Sequence, residues 1–126
     1  MRAFLVAAGM AAGLMLGAGP ASAQNMNVAD FLTQAERVPR DARALASPTA
    51  RRLMNEVQSG FRAVREREIA ARAAGRTPPT CMPERIQLNP QQLLTRFQSI
   101  PPARRRQTTV HAAINDWMVE RYPCRG

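Results

Sequence analysis

The chain has 126 residues, with 18 basic side chains against nine acids and a formal net charge of +9 when its one histidine is neutral. Every basic residue is arginine, which excludes lysine chemistry such as a Schiff base or a phosphate-loop lysine. One histidine and two cysteines supply no metal-ligand set and no Cys-His or Ser-His-Asp constellation, so the sequence offers no catalytic, metal or cofactor site.

Arg2 precedes an apolar run from Ala3 to Ala18, and Ala21-Ser22-Ala23 follows. That order is a charged n-region, an h-region and an A-x-A cleavage site, so residues 1–23 read as a signal peptide and 24–126 as one exported, periplasmic domain. The alternative is a retained anchor, for which a run of about 16 residues is short of the roughly 20 that span a bilayer. No cysteine stands at the cleavage point to carry a lipid, and no later segment is long and apolar enough for stable membrane insertion. Removing Arg2 leaves 17 arginines against nine acids, a charge of +8. Export argues against nucleic acid as the partner of this charge. The arginines are also interleaved with acids one helical turn away, as in Arg62 with Glu66 and Glu68 with Arg72, which is the pattern of solvated helix faces.

Asn27 opens a first helix whose Val28, Phe31, Leu32 and Ala35 share one face, and which should stop before Pro39. Residues 40–46 suit a short helical turn with Leu45 as their one sizeable apolar group. Ser47-Pro48 caps a long helix reaching Ala74, striped by Leu53, Met54, Val57, Phe61 and Val64, and Gly75 stops it. Gly60 inside that helix costs up to about 1 kcal/mol relative to alanine; it marks either a close helix crossing or a tolerated weakness. Pro78, Pro79 and Pro83 make 76–88 an extended connection. Asn89-Pro90-Gln91-Gln92 is a capping box opening a helix with Leu93, Leu94 and Phe97 on its buried stripe, ended by Ile100-Pro101-Pro102. Thr108 or Thr109 caps a last helix carrying Val110, Ala113, Ile114, Trp117 and Met118, terminated by Pro123. With no alternating strand pattern, the expected fold is all-α with four principal helices.

Cys81 and Cys124 are the only cysteines. In an exported chain an even pair reads as a disulfide, here closing a loop around the last two helices; the rival is two free thiols, one of them catalytic. His111, at the edge of the last apolar stripe, is either a partly buried structural residue or a pH-sensitive or partner contact. Asp116 and Glu120 share a face and could do acid-base work, but lie opposite the apolar stripe beside Arg121, as a solvated charged face does. Trp117 and Tyr122 read as core and end-packing residues rather than a ligand platform. Loops carry recognition, so the partner-contact candidates are Arg76, Thr77 and Thr80 in one loop and Arg104, Arg105 and Arg106 in the other.

The bracket Cys81-Met82-Pro83, Leu93-Leu94 with Phe97, Pro101-Pro102-Ala103-Arg104-Arg105, Ala112-Ala113 with Ile114, and Tyr122-Pro123-Cys124 resembles the C-terminal signature of the Rap/Tai family of immunity proteins, the periplasmic antidotes to type VI secretion amidase effectors. The resemblance covers about 45 residues. Members commonly carry a further cysteine pair, which this chain lacks, keeping only Gly60 of that part of the pattern. The resemblance implies a non-enzymatic helical domain, often a homodimer, that occludes the catalytic groove of a peptidoglycan amidase. Two other classes compete with it: a one-disulfide envelope-stress or acid chaperone, and a basic module binding anionic cell-envelope polymer.

Overall fold

The computed structural model describes residues 26–125. The expected signal peptide at 1–23 lies outside the described residues. Within them the chain forms five α-helices, α1 (Val28–Ala35), α2 (Pro48–Ala73), α3 (Pro90–Gln98), α4 (Pro102–Arg105) and α5 (Val110–Arg121), with one 3-10 helix, η1 (Ala42–Ala46). No strand is present among the described residues, in agreement with the all-α expectation. The fifth helix, α4, stands where an arginine-bearing turn was expected. Pro102 presets its first position, and the Arg104 amide donates to the Pro101 carbonyl at 2.8 Å.

Helix starts follow from capping. Asn27, Ser47 and Thr109 each accept from a backbone N–H three residues on, which supplies a partner to a donor that the helix cannot satisfy itself. Asn89 and Gln92 complete a reciprocal box, at 2.8 and 3.0 Å. Thr109, not Thr108, is the last cap; the Thr108 hydroxyl instead donates to the Arg104 carbonyl behind α4. Gly75, at a φ of 70°, turns the chain out of α2, and the next amide, of Arg76, donates back to the Ala71 carbonyl at 2.8 Å.

The core is built on α2 and α5, which run side by side in the same direction: Glu56 faces His111, Gly60 faces Ile114 and Arg67 reaches Asn115. A Cβ on Gly60 would lie 2.6 Å from Ile114 Cδ1, so of the two readings of this glycine the close crossing is the one the structure shows. The α1 helix lies across the pair, tied at its start by Val28 N–H to the Thr108 carbonyl and by Val110 N–H to the Met26 carbonyl. Phe31 of α1 meets Phe97 of α3 edge to face at 5.1 Å. Trp117 is buried with Ile114 and Met118, as its place on the apolar stripe predicted. A Cys81–Cys124 disulfide, beside a Thr80–Pro123 bridge and a Cys81 N–H to Tyr122 carbonyl bond, joins the connection after α2 to the end of α5.

Gly60→Ala gains about 1 kcal/mol of helix propensity but forces buried Ile114 off its position, at about 1–3 kcal/mol. The variant is expected to be about 1 kcal/mol less stable than the parent by urea denaturation. A stabilised variant would show that Ile114 yields at no cost.

Candidate functional site

The long helix supplies more apolar surface than its neighbours cover. Leu53 and Val64 are buried beneath the other helices, whereas Val57 and Phe61 are half-buried and Met54 is 54 % exposed. These three residues form one wall of an open apolar groove of about 1400 Å³. Leu93 and Leu94 of α3 face it from the other side, and the end of α1 contributes Leu32 and Ala35. Leu45 of η1 stands at the rim, 86 % exposed. An apolar groove of this size is comparable to the largest apolar patch of a typical monomer, a place where binding often occurs.

The remaining wall is the non-helical strap that leads from the disulfide to α3. Met82, Glu84, Ile86 and Leu88 line the groove, and the residues between them do not. Its first turn is fixed by a buried polar clamp. The Glu68 carboxylate, 0 % exposed, accepts from the Met82 amide at 2.7 Å and pairs with the Arg65 guanidinium at 3.3 Å. Arg65 also donates to the carbonyls of Met82, at 3.0 Å, and Pro83, at 2.6 Å. A carboxylate is tolerated in such a place only because charge-assisted donors take up its lone pairs. The expected surface pair of Glu68 with Arg72 is therefore not formed. Glu68 turns inward to Met82, while the Arg72 guanidinium lies 3.8 Å from Cys81 Sγ. Nor does an ion pair join Arg62 to Glu66 among the described residues.

The partner-contact candidates separate into different environments. Arg76 and Thr77 are exposed, as are Arg104 and Arg106. Thr80 is not a surface residue. Its bridge to Pro123 buries it completely, and its carbonyl lies 3.3 Å from Cys124 Sγ. Arg105 is half-buried, donating to the carbonyls of Ile100 and Gln98 where α3 ends, so it serves the fold while also lining the groove. Neither loop contributes its whole set to the groove.

Glu56 and His111 form a second buried polar pair, between α2 and α5, with Oε1 and Nε2 3.6 Å apart and neither atom hydrogen-bonded. Burial pushes the Glu56 carboxyl above the usual carboxylate range, and the neighbouring imidazole only partly opposes this. Asp116 and Glu120 are exposed; Glu120 pairs with Arg96 of α3 at 2.7 Å, making it a brace between helices rather than half of an acid-base pair. No group of three or more metal-ligating side chains is present among the described residues. No helix there is long and apolar enough to cross a membrane.

Sequence reasoning placed Met54, Val57 and Phe61 on the apolar stripe of α2 and Leu93 and Leu94 on the buried stripe of α3; Val57, Phe61, Leu93 and Leu94 are half-buried against the core and, with exposed Met54, also line the groove. The clamp was missed because Glu68 at helical spacing from Arg72 reads like any surface pair. Its one signal was Arg65 three residues before it, on the side of the helix that carries Val64. No family model, curated protein or solved structure matches this chain.

Two substitutions test these buried groups. Glu68→Ala leaves the Met82 amide without its partner and Arg65 without its counter-charge, and should lower stability by about 3 kcal/mol in urea denaturation; no change would mean the clamp is solvated. For Glu56, a folded-state pKa raised above the unfolded one means that its contribution is favourable at acid pH and is lost as pH rises through the folded value. Glu56→Gln should therefore be more stable than the parent near neutral pH, with the advantage shrinking as pH falls into the carboxylate range. Thermal melts from about pH 4 to about pH 7.5 read this directly; an advantage that grew on acidification would contradict it.

Proposed function

We propose that this chain is an exported, non-enzymatic binding protein whose apolar groove receives part of a protein partner. The observation that carries the reading is the groove itself. Side chains at helical spacing for a core, Met54, Val57 and Phe61 on one wall and Leu93 and Leu94 on another, line it together with a strap that is covalently and electrostatically fixed. A surface so maintained is consistent with binding energy stored for a partner. On the resemblance to the Rap/Tai family, that partner is a peptidoglycan amidase effector, blocked in the periplasm when its catalytic cleft is covered. The basic surface then serves to steer encounter rather than to supply the contact.

The test is inhibition of peptidoglycan hydrolysis by purified type VI amidases, titrated with the processed chain. Stoichiometric inhibition of one amidase is expected, together with its loss in Met54→Glu, a substitution at a half-exposed groove position that leaves the buried core untouched. Circular dichroism checks that the variant retains its helices. Inhibition undiminished by Met54→Glu would remove the groove from the mechanism, and no inhibition of any amidase would remove the immunity role.

A further inference from the structure

The strap that walls the groove has a property beyond its apolar face. From Glu84 to Leu88, no backbone N–H or C=O makes a hydrogen bond to any described residue. The bonded groups stop at the Pro83 carbonyl on one side and resume at the Asn89 amide on the other. Across the same stretch alternate residues, Glu84, Ile86 and Leu88, line the groove, while Arg85 and Gln87 do not and are exposed. The chain bends at Glu84, and over Arg85–Leu88, beyond it, a period of two is the side-chain signature of an extended segment, here one with no neighbouring strand.

From this we infer that the strap is a docking edge for an extended peptide: a segment of a protein partner pairs backbone to backbone with Arg85–Leu88 and sends alternate apolar side chains into the groove. The inference rests on the groove reading above and names the form of its occupant. Whatever covers the groove strips water from the strap, and its donors and acceptors then need partners. An acyl chain has none to offer, and an α-helix has already spent its own internally. A strand supplies both kinds at the right repeat, as in β-strand addition to an open edge. The edge is also preorganised. The disulfide and the Glu68–Arg65 clamp hold its start, and the Asn89–Gln92 capping box fixes its end. The four extended residues span about 13 Å, enough for a short peptide to engage them.

The experiment uses the oxidised, processed chain and three probes: a lysine-flanked peptide of about eight alternating valines and threonines, an amphipathic leucine-lysine helix of about 14 residues, and palmitate. Affinity is read by calorimetry and the strap by amide hydrogen exchange in NMR spectra. The alternating peptide should bind, protecting every second amide from Arg85 to Leu88. Methylating the peptide's amides along the pairing edge should weaken it at least about tenfold, since those bonds carry the affinity in strand addition. Equal binding of the methylated peptide, or palmitate or the helix filling the groove with the strap amides still exchanging freely, would overturn the strand inference and leave the groove as a binding site. Failure of all three probes to bind would overturn the groove reading itself.

Discussion

The arrangement depends on one buried carboxylate. Glu68 lies fully inside the protein, where an uncompensated negative charge would be strongly unfavourable, and it is stabilised there by the Met82 amide and the Arg65 guanidinium. Because Arg65 also holds the carbonyls of Met82 and Pro83, the same clamp that satisfies Glu68 fixes the chain as it leaves the disulfide. Without it, the start of the strap would be held only by the covalent link and the burial of Met82. With it, Ile86 and Leu88 are set opposite the apolar stripe of α2, at a separation that leaves the groove open.

The disulfide and the clamp act on different states. The crosslink closes a loop spanning 43 positions and, in the chain-entropy account, disfavours the unfolded ensemble by about 4 kcal/mol. The clamp acts in the folded state, choosing one path for a segment with almost no backbone hydrogen bonds of its own. A segment of that kind would otherwise sample many conformations, since the conformational entropy of an unbonded connection favours disorder. The α2–α5 pair provides the rigid base. Gly60 lets the two helices approach closely at Ile114, and α1 is latched across them at Val28 and Val110.

Much of this was legible in the residues. Helix boundaries were announced by Asn27, Ser47-Pro48, Asn89-Pro90 and Gly75, whose cap chemistry is local and needs no tertiary knowledge. The pairing of Cys81 with Cys124 followed from there being only two cysteines in a chain expected to be exported. Burial within an apolar stripe was less legible. Periodicity shows which side of α2 is apolar, but Leu53 and Met54 look alike by this measure, and only the packing of neighbours decides that one is buried and the other half-exposed. Arg104-Arg105-Arg106 was unreadable for a similar reason: the five residues between the prolines and Thr108 can be turn or helix, and the pattern does not show that Arg105 bonds to the carbonyls of Gln98 and Ile100. Thr80 went inward because a bridge to Pro123, 43 positions away, takes it there.

The most direct measurement is native-state hydrogen exchange at the Met82 amide in the oxidised protein. If the buried Glu68 carboxylate fixes the strap, this amide exchanges only through global unfolding, at the slow rate of the α2 core amides and far behind those of Arg85 to Leu88. Exchange at Met82 as fast as at its neighbours in the strap would contradict the account, because the carboxylate would then be neither a buried acceptor nor the anchor of the groove wall.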